Sequence, residues 1–93
     1  MRKIEKQIKA AFEARQSLSI DNTMTDGNAV FLHGNKIIER RKDGVYCTLA
    51  GWPTVTTRSR LNSIANANFS QCKHEQYCGP QKILDHSAWF KVS

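Results

Sequence analysis

Between residues 2 and 16 the apolar side chains of Ile4, Ile8, Ala11 and Phe12 recur every three or four positions, with Lys3, Glu5, Lys6, Lys9, Glu13 and Arg15 around the other sides. That spacing predicts an amphipathic helix within residues 1–16, whose narrow apolar stripe either docks on its own domain or pairs with a second copy. The period then changes. Residues 17–27 alternate Leu18 and Ile20 with polar groups and close on Asp26 and Gly27, which fits a short edge strand or an extended arm. Within residues 28–51, one strand-like run sets Val30 and Leu32 against Ala29, Phe31 and His33. A second carries Ile37 and Ile38, and a third runs from Val45 to Gly51. Tight turns at Gly34–Asn35 and Asp43–Gly44 join these three runs into an antiparallel meander. Helical spacing returns at Leu61, Ile64 and Ala65, within a helix over residues 56–67. Residues 69–93 read as strands: an alternating run from Phe69 to Tyr77, a break at Gly79–Pro80, and a last strand around KILDH or SAWFKV.

The expected architecture is therefore α+β in a single domain over residues 1–93. It has an N-terminal amphipathic helix, an antiparallel sheet of about five strands, and one helix inserted after the third strand. Ninety-three residues leave room for one small domain. Ile, Leu, Val and Phe together number 20, so the core leans on Trp52, Trp89, Tyr46 and Tyr77, and self-association as a homo-oligomer would help it. No leader-like apolar segment follows Met1 and no run is long enough to span a membrane, so the chain reads as cytosolic, with its three cysteines reduced. A net charge of +6 favours encounter with polyanions or acidic protein surfaces without choosing between them.

Candidate chemistry concentrates in LAGWPTVTTRSRL, from Leu49 to Leu61. Pro53 stops the preceding strand, and Thr56 and Thr57 can cap the helix that follows. Arg58 and Arg60 then fall in its first turn, the wrong sign for the helix dipole and the right sign for a bound anion. Thr54, Thr56, Thr57, Arg58 and Arg60 form a candidate phosphate cradle, which Arg40 and Arg41 could join from the neighbouring hairpin. The plainer reading of the threonines is that they only cap. Trp52 is the one aromatic for which base stacking is expected, the others being needed in the core. His33 could bond a phosphate or a base, although a structural role in the hairpin suits it better.

The run VFLHGNKIIERRKDGVYCTLAGWPTVTTRSRLNSI resembles a pattern in small proteins of tailed bacteriophages, where a strand ending in LHGN, a hairpin and a strand ending in AGW lead to a TTR-x-RLN helix start. The matching positions are Leu32 to Asn35, Ala50 to Trp52, Thr56 to Arg58 and Arg60 to Asn62. The resemblance implies phage origin, expression inside a bacterium, and a task in host takeover or in blunting host defence. It brings no activity with it.

Other constellations add little. Cys72, His74, Cys78 and His86 do not have the spacing of common zinc sites, so no metal is expected. Asp21, Asp26, Asp43 and Asp85 are scattered, and no nucleophile–base order or glycine-rich phosphate loop stands out, so neither catalysis nor a cofactor is expected. The sequence thus points to a non-enzymatic phage protein in the host bacterial cytoplasm that binds a phosphate-bearing ligand. The first expectation is a host nucleotide immune signal held by sequestration. The alternatives are nucleic acid, or a host enzyme inhibited by direct contact through the first helix or the aromatic tail.

Overall fold

The computed structural model describes residues 2–93. Its first element, α1 (Lys3–Glu13), follows the predicted stripe: Ile8, Ala11 and Phe12 are buried. The helix ends in a Schellman motif, Arg15 taking φ 57° while Arg15 N–H and Gln16 N–H donate to Phe12 and Ala11 carbonyls at 3.2 and 2.8 Å. The apolar stripe therefore docks on its own domain.

Five strands follow in unbroken succession: β1 (Leu18–Ile20), β2 (Thr23–Thr25), β3 (Ala29–Leu32), β4 (Asn35–Arg41) and β5 (Gly44–Cys47). Then come α2 (Val55–Ile64), a small three-stranded unit of β6 (Phe69–Cys72), β7 (Glu75–Cys78) and β8 (Gln81–Ile83), and finally β9 (Phe90–Lys91). The larger sheet has the order β1-β2-β3-β4-β5-β9, the smaller β6-β7-β8, and every pairing is antiparallel.

This overturns the expected fold class. The chain carries nine strands in two sheets of six and three, not one sheet of about five, and no helix follows the third strand; α2 comes after the fifth. The miscount has a local cause. Three-residue strands such as β1 and β2 are too short to show alternation, and their hairpin turns on Asp21 at φ 50°. The run from Phe69 to Tyr77 is likewise two strands, reversed at Lys73 and His74 with φ 49° and 68°. Such positive φ values are usually supplied by Gly, Asn or Asp, so no turn signal stood there. The β3–β4 turn is also displaced by one residue: His33 (φ 51°) and Gly34 (φ 80°) make it, and Asn35 opens β4 opposite Leu32.

Strand alternation gives the large sheet two unlike faces. Thr23, Thr25, Val30, Leu32, Ile38 and Cys47 point inward and are buried, meeting Ile8 and Phe12 of α1 and Leu61 and Ile64 of α2 in one core. Phe69 and Ile83 bring the small sheet into that core, with the Phe69 ring edge-on to Phe90 at 6.3 Å. The outward face carries Met24, Phe31, Lys36, Glu39, Tyr46 and Lys91, all exposed or half-buried. No helix among the described residues is long and apolar enough to cross a membrane.

Candidate functional site

The segment between β5 and α2 is shaped by one tight turn. Trp52 N–H donates to the Leu49 carbonyl at 2.9 Å across Ala50 (φ 54°) and Gly51 (φ 80°), a pair of left-handed residues that reverses the chain. Gly51 N–H is tied to the His86 carbonyl at 2.9 Å. The reversal leaves the Trp52 ring outside the core, 58% exposed.

Two residues later the helix starts. Its N-cap is Thr54, whose Oγ1 accepts the Thr57 N–H at 3.1 Å and lies 2.9 Å from Thr57 Oγ1. The cap thus sits upstream of the expected Thr56 and Thr57, and α2 begins at Val55 rather than 56. The N–H groups of Val55 and Thr56, like the first donors of any helix, have no carbonyl one turn earlier to bond to. The helix start carries partial positive charge.

A cleft of ≈ 390 Å³ lies beside the helix start, lined by Leu32, His33, Asn35, Trp52, Thr54, Thr56 and Thr57. The β3–β4 turn supplies one wall, the Trp52 loop another and the helix start the floor. On the far side of His33 a second depression, ≈ 440 Å³, is lined among others by Asp21, Asn22, Met24 and Phe31. Five of the nine residues singled out in the sequence, Trp52, His33, Thr54, Thr56 and Thr57, therefore meet in one place. Leu32 and Asn35 join them; both belong to the LHGN run, but neither was among the expected ligand-binding residues.

The four arginines lie elsewhere. Arg60 is 4% exposed and directed inward: Nη1 donates to Glu5 Oε2 at 2.8 Å, Nε to Thr23 Oγ1 at 3.0 Å and Nη2 to Asn22 Oδ1 at 3.4 Å. Ser59 Oγ adds a 2.6 Å bond to the same carboxylate. Burial by itself would raise the Glu5 carboxyl, yet the bonds from Ser59, Arg60, Ser63 and the Arg2 N–H together hold it below its ordinary value. Arg58 Nη1 bridges the Pro53 carbonyl at 3.1 Å and Gln76 Oε1 at 2.9 Å, pinning the loop to β7. Arg40 stacks on Phe12 at 4.0 Å and donates to the Gly27 and Phe12 carbonyls at 2.6 and 3.0 Å. Arg41, on the opposite face, bonds Glu39 Oε2 at 2.8 Å and covers Tyr46. Arg40 and Arg41 also sit at the end of β4 away from the cleft, about 17 Å along the strand from Asn35.

The cleft consequently offers stacking, hydroxyl, amide and helix-start N–H groups, with no guanidinium on its lining. A signal for the Arg60 role did exist in the sequence: Glu5 shares the α1 stripe with Ile8 and Phe12, and Arg60 shares the α2 face with Leu61 and Ile64. Two opposite charges on two apolar faces are a buried pair waiting to meet. Cys72 and Cys78 occupy opposite ends of the β6–β7 ladder, and no cluster of three His, Cys, Asp or Glu suited to a metal ion occurs among the described residues.

Comparison with known proteins gives one relationship. No curated protein and no solved structure is similar enough to match. A family model described as Kyanoviridae Gp96 protein, a phage protein family, matches residues 1–90.

Proposed function

Because the chain belongs to the Kyanoviridae Gp96 protein family, we propose that it is a phage accessory protein that holds a nucleotide in the cleft beside α2, without catalysis, in the host bacterial cytoplasm. The observation that carries this is the meeting of an exposed indole with a helix start in one concavity: Trp52 for a base, and the helix start at Thr54, Thr56 and Thr57 for a phosphate. His33, Asn35 and Thr56 are on the lining, where sugar hydroxyls or base edges would find partners. His33 is the one titratable side chain on the lining, which suits binding better than acid–base chemistry. A phage gains from such a protein when the nucleotide is a host immune signal held stoichiometrically, and a homo-oligomer would enclose the exposed side of Trp52.

The test is a fluorescence titration of the Trp89→Phe variant, in which Trp52 is the only indole, with mononucleotides, linear dinucleotides and cyclic dinucleotides. Saturable quenching by one class is expected, with Trp52→Ala about 5- to 150-fold weaker by calorimetry, the worth of one stacked base. Native mass spectrometry of protein purified gently from bacteria should show the same ligand in fixed ratio to chains. Absence of saturation to millimolar nucleotide, with a clean ligand-free mass, would refute the reading.

A further inference from the structure

The outward face of the six-stranded sheet is a second surface, independent of the cleft. Both helices and the small sheet pack on the inward side, so nothing among the described residues covers this one. What it presents is unlike an ordinary solvated sheet face, where polar residues would alternate outward. Phe31 on β3 and Tyr46 on β5 point out of the pleat, and Trp89 stands beside β9. Cations are interleaved with them: Lys36 lies 5.9 Å from the Phe31 ring centre, and the Arg41 guanidinium lies 4.2 Å from Tyr46 and 5.1 Å from Trp89. Lys91 is paired across from Tyr46. The side chains of Lys36, Arg41 and Lys91 remain 41, 39 and 49% exposed, so each can reach a partner in solvent.

We propose that this face is a platform for single-stranded nucleic acid. Aromatic rings and guanidinium planes set among cations on an open antiparallel sheet are what unpaired bases stack on while their phosphates seek charge. From the pairing register, Phe31 and Tyr46 stand about 12 Å apart, two strands across and two residues along, so both can engage one extended strand. Glu39 and Asp43 are acidic groups of this face, Asp43 Oδ2 also lying 4.0 Å from Lys91 Nζ, while Asp26 acts on Lys36 from the edge and Asp21 lines the depression beside Phe31. Glu39 Oε1 and Oε2 accept from Lys36 and Arg41 at 3.1 and 2.8 Å, and Asp43 Oδ2 accepts the Tyr46 hydroxyl at 2.6 Å. Glu39 and Asp43 fix the orientation of the cations and the ring, and against Lys36, Arg41 and Lys91 they leave the charge of roughly one phosphate contact. A duplex, whose bases are already stacked on one another, gains nothing from the rings.

The experiment is fluorescence anisotropy of a labelled oligothymidylate, and of a duplex of equal length, with the full chain. The single strand should bind detectably at low salt, and better than the duplex. Its affinity should fall about two- to threefold between 50 and 200 mM salt, as one phosphate contact dictates. Arg41→Glu should weaken it tenfold or more with an unchanged circular dichroism spectrum, whereas Lys6→Glu, the same charge reversal on α1, should weaken it less than threefold. Trp89→Ala, or Lys36→Glu should that variant not fold, supplies a second perturbation of the face with the same expected direction. Equal losses for Arg41→Glu and Lys6→Glu would reduce the effect to net charge and overturn the proposal. So would equal affinity for duplex, or no binding at 50 mM salt.

Discussion

Arg60→Ala decides whether the second arginine of the helix start belongs to the scaffold or to a ligand. In the folded chain its guanidinium lies 2.8 Å from Glu5, with side chains 5 and 1% exposed, and Thr23 and Asn22 take two further N–H groups. Truncation leaves a buried carboxylate held by Ser59 and its remaining donors. Breaking a buried pair on one side costs about 3–5 kcal/mol. A chain of this length has a total stability of roughly 5–14 kcal/mol, so about a fifth or more would vanish, with Tm falling by at least about 12 °C. Urea denaturation of Arg60→Ala, Glu5→Leu with Arg60→Leu, and the parent chain gives the magnitude. The double variant should recover at least about 2 kcal/mol of the loss, because two apolar groups remove the unpaired charge as well as the pair. A loss below about 1 kcal/mol in Arg60→Ala would show that the pair is not buried. If that variant also lost nucleotide binding at full stability, Arg60 would be a ligand residue after all.

Four further outcomes are expected. Arg58→Ala should lower stability by about 1–2 kcal/mol, since Pro53 and Gln76 lose a charged donor, and should leave nucleotide titrations within threefold; a tenfold loss of binding at parental Tm would place Arg58 in the site. Glu5, Asp26, Glu39, Asp43 and Asp85 all have carboxyls held below their ordinary values. The unfolded chain therefore takes up protons first, so Tm should be steady from pH 7 to 5 and fall once the pH drops below 4.5, the ordinary value of Glu5; a Tm that rises on acidification would contradict this. Burial pushes the Cys47 thiol up to about 12 while Cys72 is exposed, so iodoacetamide at pH 8 should label Cys72 first and Cys47 only on unfolding, as peptide mass mapping will show. Gly27→Ala should cost about 1–3 kcal/mol in urea denaturation, because Gly27 has φ 92° and a Cβ there would stand 2.7 Å from the Arg15 carbonyl; an unchanged midpoint would refute the close approach.

What was legible in the sequence was local. The α1 stripe, the meander around residues 28–51 and the meeting of Trp52, Thr54, Thr56 and Thr57 all arise between residues a few positions apart, where periodicity and capping rules operate. The fates of the arginines were not local. Arg60 finds Glu5 across 55 positions, Arg40 finds Phe12 across 28, and Arg58 finds Gln76 across 18. Gln76 shows how one hidden turn propagates into a wrong site. Read as a single strand, residues 69–77 put Gln76 on the side opposite Phe69, facing solvent. With Lys73 and His74 reversing the chain, Gln71 pairs with Gln76 and Phe69 with Cys78, so Gln76 moves to the Phe69 side and is buried. Its Oε1 then accepts from Arg58 while its Nε2 donates to Gln71 Oε1 at 2.8 Å. A guanidinium that looks free beside a helix start is free only if no carboxylate, amide or carbonyl arrives from elsewhere in the chain. In this fold such partners reach Arg40, Arg58 and Arg60, and the cleft retains the groups that its own loop provides.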